Sequence, residues 1–189
     1  MRIVGGRLRG RVLATPKSQA IRPTAERLRE AVFNVLLHAY GDPMAGARVL
    51  DLFAGTGALG LEALSRGAAF ALFIDNAAEA RALLRENITT LGLPAISRVF
   101  RRDATKLGPR GSLQPFSLAF LDPPYGEGLA EKALVSAAAG DWLAREAIVV
   151  VEEAAKTKFA APTGFTEVER RVYDDTEVIF LRSPPSAKR

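Results

Sequence analysis

The sequence predicts an α/β fold: a doubly wound, mostly parallel sheet, a C-terminal antiparallel hairpin, and a small N-terminal arm made of a hairpin and a helix. Three observations carry this. Strand-like and helix-like patterns alternate from residue 48 to residue 151, the mark of strand–helix–strand units. Ala147-Ile148-Val149-Val150-Val151 is an uninterrupted apolar run, as a strand buried on both faces requires. Four acids, Asp51, Asp75, Asp103 and Asp122, each sit at or near the carboxyl end of a different predicted strand, which places them on one rim of the sheet.

Residues 2–14 read as a short hairpin, with Ile3 and Val4, a turn signal at Gly5-Gly6, and Leu8, Val12 and Leu13 among arginines. Its apolar face is too small to stand alone. Residues 15–23, with Pro16 and Pro23, form a loop, and Thr24 is placed to cap a helix. That helix runs to about Tyr40, with Leu28, Val32, Val35, Leu36 and Ala39 at helical spacing; Arg27 and Arg29 lie off the stripe and face elsewhere. Gly41-Asp42-Pro43 ends it. The arm is therefore drawn as residues 1–43, the main domain as 44–183 and a tail as 184–189.

Residues 48–53 are the first strand of the main domain, and Ala54-Gly55-Thr56-Gly57 turns into a helix with Leu59, Ala63 and Leu64 on one face. Residues 70–75 form the next strand, and a helix from about Ala77 to Leu91 buries Ala80, Leu83, Leu84, Ile88 and Leu91. A strand near 96–101 leads to Asp103, and one at 117–121 leads to Asp122. A helix bearing Leu129, Ala133, Leu134 and Ala137 precedes the apolar strand at 147–151. Residues 166–173 and 176–182, joined at Asp174-Asp175, form the antiparallel hairpin, and Ser183 opens a disordered tail. There is no internal repeat.

Composition removes several classes of chemistry. The chain of 189 residues has no cysteine and a single histidine, His38, which excludes disulfide scaffolds, cysteine nucleophiles and Cys/His zinc sites. His38 and the single Trp142 have no partner motif and read as structural. Neither an apolar signal core nor a run of 18 apolar residues is present, so a soluble, cytoplasmic, monomeric protein without metal is expected. Charge is unevenly placed. Residues 1–30 hold eight basic residues against two acidic ones, more than the whole chain's excess of +5, so the arm is suited to a polyanion such as nucleic acid. A solvated, charge-decorated hairpin is the plainer alternative.

Asp122-Pro123-Pro124-Tyr125 follows the apolar run 117–121. Neither proline has a backbone N–H and each fixes φ, so the chain must leave the sheet there. What remains at the rim is a carboxylate, a stiff backbone with aimed carbonyls and an aromatic face. That set suits a planar base bearing an exocyclic amine. A strand-terminating turn whose aspartate caps the next helix is the plainer alternative.

Gly55-Thr56-Gly57-Ala58-Leu59-Gly60 matches Gly-x-Gly-x-x-Gly between a strand and a helix, with Asp75 twenty positions beyond Gly55 to accept ribose hydroxyls. To this point NAD and S-adenosylmethionine fit equally. Asp51 beside the cofactor's charged end suits an ammonium better than a pyrophosphate, and Asp103-Ala104 would cover an adenine. With the Pro-Pro-Tyr turn added, the methyl donor is the better reading. The candidate cofactor set is Asp51, Ala54, Gly55, Thr56, Gly57, Asp75, Asn76, Asp103 and Ala104.

Residues 49–60 with Asp75, Asp103 and Asp122 to Tyr125 resemble the class I, Rossmann-like S-adenosylmethionine-dependent methyltransferases that methylate amines. The arm is more specific: Arg2-Ile3-Val4-Gly5-Gly6, Arg9-Gly10-Arg11 and the stretch from Arg22-Pro23-Thr24 to Phe33-Asn34 resemble the RsmD type of 16S ribosomal RNA guanine-N2 methyltransferase. The resemblance implies methylation of a guanine N2 amine in 16S ribosomal RNA of an assembled or nearly assembled small subunit. It casts Asp122, Pro123, Pro124 and Tyr125 as the catalytic set. Arg7, Arg9, Arg11, Arg22, Arg27 and Arg29 become RNA contacts, although Arg22, Thr24, Arg27 and Arg29 equally suit the cofactor mouth. The leaving proton passes to Asp122 or to water. A DNA adenine-N6 methyltransferase, an NAD-dependent oxidoreductase and a non-catalytic RNA-binding module are the competing readings.

Overall fold

In the computed structural model, which describes residues 1–16 and 23–185 with the side chains of 23–25 excepted, seven strands form one sheet. β1 (Arg48–Leu52), β2 (Phe70–Ile74), β3 (Ser97–Phe100), β4 (Phe116–Leu121) and β5 (Leu143–Ala154) pair in parallel. β7 (Thr176–Arg182) runs antiparallel to both β5 and β6 (Thr166–Tyr173). The spatial order is β3-β2-β1-β4-β5-β7-β6. Winding reverses between β1 and β4, and sheets of this kind bind ligands outside the carboxyl ends of the strands at that reversal.

The period of two along each strand builds two cores. Val49, Phe73, Phe120, Val150 and Phe180 face one way and meet α1 (Pro23–Ala39), α2 (Ala58–Ser65) and α3 (Ala78–Thr90). Leu50, Ile74, Leu121, Val151 and Ile179 face the other way and meet α4 (Leu129–Ala139), Trp142, Phe159 and Phe165. Phe33 of α1 is fully buried with its ring 5.4 Å from that of Phe120. Burying such a side chain contributes about 1.5–3 kcal/mol, so the helix of the expected arm is part of the main core. Trp142 is structural: it is buried and its indole N–H donates to Gly108 O at 2.7 Å. His38, by contrast, is exposed in the last turn of α1. No helix among the described residues is long and apolar enough to cross a membrane.

Several expected details differ. The N-terminal hairpin is a single Arg2↔Val12 bridge closed by a 3-10 turn at Gly6–Leu8, not a tight turn at Gly5-Gly6. The reason is a side chain. Val4 N and Gly5 N donate to Glu62 of α2 at 2.9 and 2.8 Å, so they are withdrawn from strand pairing. Gly6, at φ +73°, packs on the Ser65 carbonyl so closely that a Cβ would collide with it. Ile3 and Leu13 are buried here, whereas Val12 is exposed. α1 begins at Pro23, which suits a first helical turn, so Thr24 lies inside the helix instead of capping it. Ala39, the last helical residue, is exposed instead of on the buried stripe. β5 begins four residues earlier and ends three later than the apolar run, carrying Glu152 and Glu153 into the interior. Ser183 is ordered: its hydroxyl accepts from Ala147 N at 2.9 Å and donates to Ala144 O at 2.8 Å. The remaining tail, 186–189, and Arg22 lie outside the described residues.

Glu62 is fully buried, accepts from Arg66 Nε at 2.8 Å and lies 3.4 Å from Arg29 Nε. Glu62→Ala strands two backbone N–H groups and a buried guanidinium. Urea unfolding should show a loss of about 3–5 kcal/mol; a loss below about 1 kcal/mol would mean that the N-terminal segment does not depend on this carboxylate.

Candidate active site

The carboxyl ends of five strands and one glycine turn build the rim. Asp51, next to last in β1, is 2% exposed and accepts from Gly60 N at 2.9 Å. A Cβ on Gly60 would collide with the Phe73 ring, so the third glycine lets α2 approach the sheet and reach Asp51. Between them the backbone takes left-handed conformations at Phe53 (φ 61°), Gly55 (φ 55°) and Gly57 (φ 81°). Phe53 is not a glycine, so strain is stored here. Asp75, just past β2, braces the turn from the neighbouring strand: Oδ2 accepts from Gly55 N at 2.9 Å and Oδ1 from Ala77 N at 2.8 Å.

Asp103 caps the 3-10 turn Ala104–Lys106, with Oδ1 accepting from Thr105 N at 2.8 Å and Thr105 Oγ1 at 2.7 Å. These bonds hold its carboxyl below the usual range. Asp75, Asn76, Asp103, Ala104 and Phe53 line a cavity of about 220 Å³. A second, about 450 Å³, lies over Ala54, Gly55 and Thr56, and a third, about 420 Å³, lies between Arg29, Tyr125, Glu152 and Thr176. Phe53 borders the first two and Asp122 the last two, so the three form one trench along the carboxyl rim. Asp51 and Gly57 line none of them. They lie beneath the turn: Asp51 bonds to Gly60, and Gly57 packs against Leu84 with no room for a Cβ.

In the stretch after β4, Pro123 is buried, Pro124 lines the first cavity and Tyr125 is 46% exposed with its hydroxyl 3.4 Å from Thr176 Oγ1. Glu153, fully buried at the end of β5, fixes the turn by accepting from Gly126 N at 3.0 Å and Ala154 N at 2.9 Å. Asp122 can be reached from the trench, yet the protein crowded around it and, secondarily, Glu153 push its pKa up to about 6. Burial, then Asp122, raises Glu152 well above the carboxylate range, against the pull of Arg29. Burial likewise raises Asp51, with Asp122 and Asp75 adding to it. Three neighbouring acids that resist ionisation form a site short of positive charge, and a cationic ligand answers that need. Among the described residues no cluster is arranged to hold a metal ion.

On the arm, Arg7, Arg9, Arg11 and Arg27 are exposed, and Arg11 Nη2 donates to Thr90 O at 2.8 Å. Arg29 is different. It is 3% exposed, donates to Arg2 O and pairs with Glu62, so it borders the third cavity from inside and has no outer face to offer a phosphate. Glu62, Glu152, Glu153 and Thr176 were not anticipated. Glu152-Glu153 close an apolar strand as the four aspartates do, so the same rule applied to Val149-Val150-Val151 finds them. Glu62 gives no such signal, being one acid in a short helix.

The family model described as Conserved hypothetical protein 95 matches residues 1–182. Ribosomal RNA small subunit methyltransferase D of Escherichia coli strain K12 is 41% identical over 152 residues, covering 80% of this chain and 74% of that protein. The protein of the same name from Haemophilus influenzae is 32% identical over 173 residues, covering 90% and 88%. The solved structure of Escherichia coli yhhF superposes with a TM-score of 0.82 at 32% identity over 97% of this chain and 98% of that one.

Because the folded chain holds a proton on Asp122 to about pH 6, the stability this contributes is complete below the ordinary value of 3.8 and is lost as pH rises through about 6. Asp122→Asn should therefore gain stability relative to the parent across that window and gain no more above it, as followed by thermal denaturation. A difference independent of pH would contradict the raised pKa.

Proposed function

Because the chain belongs to the RsmD-type family of ribosomal RNA methyltransferases, we propose that it moves a methyl group from S-adenosylmethionine to the exocyclic N2 amine of a guanine in 16S ribosomal RNA. The observation that carries this reading is the trench itself. Asp75, Asn76, Asp103 and Ala104 offer ribose and adenine acceptors at one end, and the turn 54–56 offers close backbone approach in the middle. At the other end, acids short of positive charge adjoin the aromatic face of Tyr125. A dinucleotide would bring a pyrophosphate to that acidic end, whereas the sulfonium and ammonium of S-adenosylmethionine suit it.

Bound there, the cofactor supplies an electrophilic methyl group. The chain's own part is to orient the amine, a poor nucleophile because its lone pair is delocalised into the ring. Asp122 and the Pro123 carbonyl accept its two N–H bonds, and Tyr125 stacks on the flipped-out base. As the N–C bond forms the S–C bond breaks, and one amine proton leaves to Asp122 or to water. Residues 1–43 are the RNA-contacting segment, its helix shared with the core of the methyltransferase unit of residues 44–183, with Arg7, Arg9, Arg11 and Arg27 towards phosphates. The protein acts in the cytoplasm, as a monomer without metal, on an assembled or nearly assembled small subunit.

Labelled S-adenosylmethionine with small subunits and with naked ribosomal RNA should yield N2-methylguanosine from the subunits. Label in neither RNA would refute the proposal. Asp122→Ala should still bind the cofactor, while transfer at saturating S-adenosylmethionine falls at least about 100-fold. Replacing Arg7, Arg9 and Arg11 together with alanine should weaken RNA binding and flatten the slope of log K against log salt by about two to three; an unchanged slope would leave the arm a packing element.

A further inference from the structure

β4 and β5 pair in parallel with Leu121 opposite Val151, so Asp122 and Glu152 come next at the same level of the rim. Phe120 and Val150, two positions earlier on each strand, share the apolar cluster beneath α1 and α2. By the period of two, both acids project to that face, and both line the cavity of about 420 Å³ beside Tyr125. Glu152 is 8% exposed. No N–H or O–H among the described residues donates to either carboxylate. Among the described residues the cation bearing on Glu152 is Arg29, which is hydrogen-bonded to Arg2 O and ion-paired with Glu62. The oxygens of both acids open on the cavity and have no protein donor, so a ligand seated there meets two poorly satisfied acceptors side by side.

A ligand with adjacent N–H groups satisfies both. Among the four RNA bases only guanine carries two neighbouring donors on its Watson–Crick edge, the ring N1–H and the N2 amine. Adenine and cytosine set a lone pair beside their amine, and uracil has no amine. We infer that Glu152 selects guanine, its carboxylate accepting the ring N1–H while Asp122 accepts from the amine, an assignment that rests on the reading of that amine as the methyl acceptor. With the cationic cofactor beside it Glu152 is ionised, so adenine in the same pose would turn its N1 lone pair onto a carboxylate and be rejected by repulsion as well as by the missing bond. Glu152 is thus the specificity residue and Asp122 the residue at the reacting atom.

The test uses 2-aminopurine in place of the target guanine in RNA or reconstituted subunits, once the methylated position is mapped. This base keeps the C2 amine but has a lone pair at N1; it also lacks O6, so the ratio between enzyme forms isolates the N1 contact. The wild-type protein with S-adenosylmethionine should turn over 2-aminopurine RNA at least about 100-fold less efficiently than guanine RNA. Glu152→Gln, whose amide can donate to the lone pair, should narrow that ratio about tenfold or more. Turnover is compared at saturating S-adenosylmethionine, so that any cofactor affinity lost with the Glu152 charge stays out of the ratio, and 2-aminopurine fluorescence should report tighter binding of the substituted RNA than by the wild type. Equal turnover of both RNAs by the wild type, or a ratio unmoved in Glu152→Gln, overturns the assignment. Absence of methyl transfer to guanine RNA by the wild type overturns the underlying reading and this assignment with it.

Discussion

Buried carboxylates that accept backbone N–H groups hold this molecule's working edge together, and Glu62 is the one on which most depends. From α2 it binds Val4 N and Gly5 N, pairs with Arg66 along its own helix and faces Arg29 from α1. One side chain thereby joins the N-terminal segment, the first helix and the helix that follows the glycine turn. The same device recurs on the rim: Asp51 holds Gly60, Asp75 holds Gly55 and Ala77, and Glu153 holds Gly126 and Ala154. An acceptor of this kind places the loop through its backbone, leaving the loop's side chains for other uses.

Two rim acids are outside this scheme. Asp122, open to the trench, and Glu152, buried beside it, have no donor from the described protein, and the protein packed around them raises both in pKa. The division has a physical logic. Carboxylates satisfied by backbone are scaffold, and carboxylates left hungry for donors and positive charge are where binding free energy is realised. The chain tolerates the cost because two full apolar cores flank the sheet, and local destabilisation of this kind is common where a site is pre-organised for a ligand.

Much of this was legible in the residues. The strands at 70–74, 166–173 and 176–182 follow from apolar periodicity bounded by turns, and the parallel order follows from runs buried on both faces. The four rim aspartates stand at the expected strand ends, although Asp51 and Asp103 spend themselves partly on local backbone. What was not legible depended on contacts distant in sequence. The N-terminal turn has its shape because Glu62, nearly sixty residues away, takes its N–H groups. Arg29 reads as a surface charge until α1 is seen packed on α2. β5 extends into Glu152 and Glu153 because β7 pairs with both, and strand propensity penalises glutamate without knowledge of a partner.

That pairing also sets an order of events. β7 runs opposite to its neighbour, so its first residue, Thr176, arrives at the rim while its last, Arg182, lies at the far end. The segment that closes the third cavity is thus drawn from a strand synthesised after β1 to β6, and until it is inserted β5 has an unpaired edge. A nascent chain can pair β1 to β4, residues 48–121, before β5 and β7 are made. The cavity proposed for the target base is walled on all sides only once β7 has paired with β5.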